Sequence, residues 1–329
     1  MTLSQRFEMP PDKEKILDRA VKLEWLTIAY LSSAVFFIYL TLGSSQAMKT
    51  AWFEDMLSLI PSIAFLVAAR VRHRAPNKRF PYGFHRAVSI AFLCAAVALT
   101  VMGVLLFYDS LMKLIAFEHP SIGVVQPFGE PIWLGWFMIP ALLWSAIPAV
   151  LIGRAKIPLA RALHDKVLYA DSQMNKADWL TAGAALLGVI GIGVGLWWAD
   201  AVAAMIISLD IAHDGIRNLK AVVADLMDSV PTTVDHAQVD PLPARLETEL
   251  GKLPWIESAK VRMREEGHVY FGEVFAVFTD HRDLHDRISK TIATAKDLDW
   301  RVHDLVVSPV ASLEDLPDSP DAEAAERRA

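Results

Sequence analysis

Residues 51–69 read AWFEDMLSLIPSIAFLVAA. A membrane helix needs roughly 20 mostly apolar residues to cross the hydrocarbon core, and this run nearly meets that length. It nonetheless carries two acids, Glu54 and Asp55, well inside it. An ionisable side chain at lipid depth costs about 2.5–3.5 kcal/mol on insertion scales, so it defaults to a functional candidate. A second run, residues 167–189, has the same character, with Asp171, Asn175 and Asp178 inside it. How these two runs are read decides the fold.

Outward from them, four more apolar stretches qualify as spans: residues 23–43, 88–115, 132–153 and 196–216. The chain of 329 residues is 53% hydrophobic and only 21% charged, which is apolar for a soluble domain of this length. Basic residues alternate between the connecting segments. Lys13, Lys15, Arg19 and Lys22 precede the first span. Arg70, Arg72, Arg74, Lys78 and Arg79 follow the second, and Arg154, Lys156 and Arg161 follow the fourth. The opposite loops offer little beyond Lys49 and Lys113. This is the positive-inside pattern, and it predicts cytosolic termini with an even number of spans. No signal peptide is expected, because residues 1–22 are polar and the first apolar run is too long for one.

The pattern changes after Asp228. Prolines 231, 241 and 243 punctuate a linker. Residues 244–252 predict a helix, 258–264 and 268–279 two strands around a Glu265-Glu266-Gly267 turn, 284–298 a helix and 300–307 a third strand. The α-β-β-α-β order suits a small cytosolic α+β domain of ferredoxin-like type, with helices on one face of a sheet. The predicted layout is therefore an arm (1–22), a six-helix transmembrane bundle (23–228), a cytosolic dimerisation or regulatory domain (229–312) and a disordered acidic tail (313–329). The single cysteine, Cys94, reads as a small buried filler. A net charge of -6 argues against nucleic acid as a partner.

Asp171, Asn175 and Asp178 stand at i, i+4 and i+7 and so share a helix face. Ser58 lies one turn after Glu54. Two helices that turn such oxygens inward make a cation site of harder character, suited to Mn²⁺ or Mg²⁺. The plainer alternatives are pairing with a lysine, for which Lys49 and Lys176 are available, and, for Asp171, complementing its helix dipole. Pro61 is expected to kink the second span beside the acids. Asp109, Asp200, Asp210 and His213 read as caps, partners or interfacial groups. His73, His85, His268, His281, His285 and His303 read mainly as solvated, with His281 and His285 a weak candidate pair.

Over residues 15–310 the sequence resembles the cation diffusion facilitator family. Ser45-Gln46-Ala47-Met48 leading to Glu54 is similar to the family's entry into its second helix. Pro81-Tyr82-Gly83-Phe84-His85-Arg86-Ala87 is close to its Pro-Tyr-Gly-His-Gly-Arg-Ala loop. Ala170-Asp171 followed by Asp178, and Trp198-Ala199-Asp200, match its fifth and sixth helices. The resemblance implies a homodimeric exporter, with no prosthetic group, that moves a divalent cation (Mn²⁺, Fe²⁺, Co²⁺, Ni²⁺ or Zn²⁺) out of the cytosol in exchange for protons. It implies the inner membrane of a bacterium as the setting. The family's usual four ligands align with Glu54, Ser58, Met174 and Asp178, so one acid and the histidine are replaced. Asp55 and Asn175, each one residue along, are the candidate substitutes, and His285 is the likeliest surviving ligand position of the soluble domain. Two rivals stay open: a proton-coupled carrier of another small solute, and a transport-inactive sensor or partner. An enzyme is not expected, since no nucleophile–base arrangement or phosphate loop appears.

Overall fold

The structure is a computed structural model. It describes residues 9–71, 77–84, 86–118, 122–126, 131–235, 237–267, 269–280 and 282–314. The expectations for His73, His85, His268 and His281, and for the tail past residue 314, lie outside these. The chain divides into two compact units, Met1–Met227 with Val234–Ala237, and Asp228–Thr233 with Gln238–Ala329.

The first unit is helical. Its elements are α1 (Pro11–Thr41), α2 (Gln46–Leu57), α3 (Leu59–Val71), α4 (Arg86–Ile115), α5 (Gly135–Leu163), α6 (Lys166–Gly193) and α7 (Ala199–Leu226). Among the described residues, four stretches are long and apolar enough to cross a membrane: α1, α2 with α3, most of α4, and α5. The helices α6 and α7 are 28 residues each and carry more ionisable groups. Large apolar side chains cover the outside, with Leu187 70% and Leu151 66% exposed. An outward apolar surface on this scale suits lipid, not water.

Inside, small residues set the helix spacing. A Cβ on Gly215 of α7 would come within 2.7 Å of the Thr100 backbone nitrogen on α4, and one on Gly103 within 2.6 Å of that of Ala212. Where Gly153 of α5 meets α6, an added Cβ would stand 3.0 Å from the Asn175 Cβ. Close backbone approach of this kind is how membrane helices gain packing energy without a hydrophobic drive.

Three details differ from expectation. Residues 132–153 do not form one helix: Ile132–Trp133 is a short strand, β2, paired antiparallel with β1 (Val124–Val125). The helix α5 then starts at Gly135 and runs on to Leu163 through Pro140, Pro148 and Pro158. Cys94 is exposed on α4, not buried. In a lipid-facing helix the outside is as apolar as the inside, so hydropathy could not assign its face.

The second unit has the α-β-β-α-β order: α8 (Leu242–Leu250), β3 (Ile256–Glu266), β4 (Val269–Phe278), α9 (Leu284–Leu298) and β5 (Val302–Pro309). β3 pairs antiparallel with β4, and β4 pairs parallel with β5. Period-2 alternation sends Tyr270, Val274, Ala276 and Phe278 into one core with Leu242, Leu246 and Leu250 of α8. A register shift between Tyr270 and Phe271 changes the parity of β5, so Val302 and then Leu305 and Val307 join that core. The opposite face carries the Arg262–Glu273 ion pair, with Arg262 stacked over Phe275 and Arg264 over Phe271.

Candidate functional site

The acids of the second span sit at the end of α2, where the helix breaks. Proline has no N–H, so Pro61 leaves the carbonyl four residues back, on Leu57, without its helical donor. The chain interrupts at Ser58, whose N–H still bonds the Glu54 carbonyl at 2.8 Å. The expected kink therefore falls between α2 and α3, one residue after Leu57.

The start of α2 is clamped from α7. Asp200, fully buried, accepts from the Ser45 hydroxyl at 2.5 Å and from the Gln46 and Ala47 N–H groups at 2.5 and 3.2 Å. Two orphan N–H donors of the helix N-terminus and the hydroxyl of its capping serine are thus met by one carboxylate. This cap role fixes the rotation of α2 and so aims its acids.

Glu54, Asp55, Ser58, Asp171, Asn175 and Asp178 are all buried, none more than 3% exposed. The structure sorts them into three environments. In the first, Ser58 on the α2–α3 break donates to Asp178 Oδ1 on α6 at 2.7 Å. Glu54 lies beside Thr181, one turn further along α6, and within electrostatic reach of Asp178 and Asp55. Among the described residues, Glu54 Oε2 and Asp178 Oδ2 are buried with no hydrogen-bond partner. In the second, Asp55 turns toward α5 and takes the Ser145 hydroxyl at 2.9 and 3.2 Å, while Tyr30 of α1 donates to the Ser145 carbonyl.

The third environment lies around Asp171. Its Oδ2 accepts from Lys156 Nζ at 2.5 Å and from Ser62 at 3.0 Å, and Lys156 also reaches Glu24 Oε2 at 3.1 Å. Asn175 bridges the first and third groups along α6. Its Nδ2 donates to the Asp171 carbonyl at 2.8 Å, and its Oδ1 is without a partner.

Sequence reasoning missed Glu24 and Lys156. Lys156 was counted as a loop charge, yet it is 0% exposed, because α5 continues ten residues past the predicted end. Glu24, also 0% exposed, stands one residue inside the first apolar run, and that position was its only signal. The proposed partners Lys49 and Lys176 form no ion pair with these acids among the described residues. Asp109 pairs with Lys113 at 3.1 Å, as a capping or partner group should. Met174 packs in the apolar core of the bundle. In the second unit His285 is exposed, whereas His303 packs edge-on against Phe271 and burial lowers its pKa.

Glu54, Asp55 and Asp178 thus have no cationic partner among the described residues. Nor do three His, Cys, Asp or Glu side chains converge there closely enough to hold an ion by themselves. An ion between α2 and α6 would complete its shell from Ser58, Asn175 or Thr181, all hard oxygen donors. A bundle that is apolar outside and keeps such acids inside has the character of a membrane domain with a candidate cation site.

Comparison with known proteins agrees. The family model described as the cation efflux transmembrane domain matches residues 25–227. The chain belongs to this family, the cation diffusion facilitators. It is 26% identical over 182 residues to the manganese efflux system protein MneS of Bacillus subtilis, covering 55% of this chain and 59% of MneS. It is 21% identical over 267 residues to the manganese efflux system protein MneP of the same organism, covering 79% and 83%. With the magnetosome protein MamB of Magnetospirillum gryphiswaldense it shares 22% over 188 residues, covering 57% and 59%. The chain thus spans less than two thirds of MneS and of MamB.

Proposed function

We propose that the protein exports a divalent metal cation from the cytosol in exchange for protons, with Glu54 and Asp178 as direct ligands. One observation carries this reading: two buried acids on α2 and α6, each with an oxygen that no group among the described residues satisfies. A buried carboxylate oxygen left without a partner costs several kcal/mol, so it persists where a cation or a proton visits. A carboxylate binds either one, and metal binding releases the proton, which couples the two flows. Ser58 completes the shell, with Asp55 and Asn175 adjoining it. The break at Ser58 gives α2 and α3 a place to move independently, as alternating access requires.

The oxygen donor set favours a hard ion, Mn²⁺ first, over thiolate-seeking ions. Similarity to two manganese efflux proteins supports the same choice. The reading includes six spans, with α6 and α7 completing the bundle, both termini and the ferredoxin-like domain in the cytosol of a bacterium, and a homodimer. It assigns the protein no enzymatic activity. One observation favours a rival, a transport-inactive partner: no cluster of three acids or histidines exists among the described residues.

Proteoliposome flux decides between them. Reconstituted protein should move Mn²⁺ against an opposing proton gradient, and Glu54→Ala or Asp178→Ala should reduce the flux to background. Wild-type vesicles that carry no divalent cation under any gradient would leave the inactive-partner reading standing.

A further inference from the structure

The transport reading leaves one buried charged cluster without a task. Glu24 of α1, Lys156 of α5 and Asp171 of α6 are each 0% exposed, and Ser62 of α3 donates to the same Asp171 oxygen as Lys156. Four helices thus send polar side chains to one point. One ammonium faces two carboxyl groups. Glu24 Oε1, Asp171 Oδ1 and the neighbouring Asn175 Oδ1 are buried acceptors with no partner among the described residues.

A lysine placed only for stability would be an odd choice here. Burying a charge pair rarely beats a packed apolar trio, because desolvation offsets the Coulomb gain. A convergent set of carboxylate and amide oxygens around one positive centre is instead the composition of a hard-cation site. The positive centre happens to be tethered to α5.

We propose that Glu24 and Asp171 form a second cation station in the bundle, that the Lys156 ammonium fills it in this conformation, and that Lys156 thereby keeps a second divalent cation out. This rests on reading the bundle as a cation carrier, yet it concerns different side chains from the Glu54–Asp178 pair. The ligand class is a divalent, oxygen-preferring ion such as Mn²⁺. Replacing Lys156 with the shorter, neutral glutamine opens the station, because the two carboxyl groups and Asn175 then face each other around space that an ion can take.

The test is equilibrium dialysis of the full-length protein in detergent against Mn²⁺, with bound metal counted by elemental analysis. Wild type and Lys156→Arg should hold about one ion per protomer and Lys156→Gln about two. Glu24→Gln combined with Lys156→Gln should return the count to about one. Removing the other pair, with Glu54→Gln and Asp178→Asn in the Lys156→Gln background, should also leave about one, now at the station. A wild type that binds none, beside a Lys156→Gln variant that binds one ion lost with Glu24→Gln, would defeat the export reading and keep the station. A Lys156→Gln count no higher than wild type overturns the proposal, as does a wild type that already holds two. Lys156→Gln protein that folds only when purified in Mn²⁺ supports the station, since the ion then replaces the ammonium. Protein that folds with neither metal-free nor Mn²⁺ buffer counts against it.

Discussion

The Ser58 hydroxyl reaches across from the α2–α3 break to Asp178 on α6 at 2.7 Å, and it satisfies only one of that carboxylate's two buried oxygens. The bond crosses between the two helices that carry the acids, at the one place where the second span is not helical. It links a point of backbone freedom to a ligand, so a change in what Asp178 binds is felt at the break.

Ser58→Ala removes that donor and leaves both Asp178 oxygens unmatched. A hydrogen bond to a charged group contributes about 1.5–3 kcal/mol, so Mn²⁺ affinity should fall by about ten- to a hundredfold, if the hydroxyl also serves the ion. Titration of metal-free protein with Mn²⁺ measures it. An unchanged affinity would remove Ser58 from the shell.

Pro61→Ala restores a donor for the Leu57 carbonyl and lets α2 and α3 fuse into one helix. Proline costs about 3 kcal/mol in a helix interior, so the melting temperature should rise. The transport rate should fall, because the independent movement of the two segments is lost. A variant that is both more stable and as fast as wild type would show that the break is not a hinge.

Asp200→Ala strips the start of α2 of three acceptor contacts. Capping and charged hydrogen bonds of this type contribute about 1–3 kcal/mol together. Thermal unfolding should shift down accordingly, and Mn²⁺ binding should weaken through misplacement of Glu54. Asp200→Asn, which keeps an acceptor oxygen, should recover part of both effects. Equal damage from the two variants would mean that the charge, not the cap geometry, is what matters.

The second unit should lose stability in acid. Burial works to raise the pKa of Asp240, but the Leu242 N–H and the Arg301 guanidinium outweigh it, and the carboxyl ends below its usual 3.8. Asp299 follows the same balance, with Arg301 as its partner. A depressed folded pKa contributes stability that is present above the unfolded value and is lost as pH falls through the folded one. Hydrogen-exchange protection of β4 and β5 should therefore hold above about pH 4 and decline below it. Arg301→Met should cost about 3 kcal/mol by taking the guanidinium from the buried Asp240 carboxylate, and should shift the loss to higher pH. Protection that is flat through this range would contradict the role of the pair.

The second unit was the more legible part of the sequence. Helix α9 begins and ends where the Leu284, Ile288, Ile292 spacing put it, and β3 and β4 flank the turn at Gly267, because water on one side enforces a clean amphipathic pattern. Among the spans, hydropathy found the segments but not their faces, so Cys94 was given the wrong side. Ends were also hidden: Arg154, Lys156 and Arg161 read as loop charges, yet α5 runs on to Leu163 and takes Lys156 into the interior. Glu54 and Asp178 were visible as acids in apolar runs. Their difference from Asp171 was not, since only packing reveals that Lys156 and Ser62 point at one and not at the others.

The most direct measurement is a crystal structure of Mn²⁺-soaked protein with anomalous data collected at the manganese edge. An anomalous peak between α2 and α6, within bonding distance of Glu54 and Asp178, is the predicted result. A manganese ion bound elsewhere in the bundle, with Glu54 and Asp178 turned apart, would contradict it.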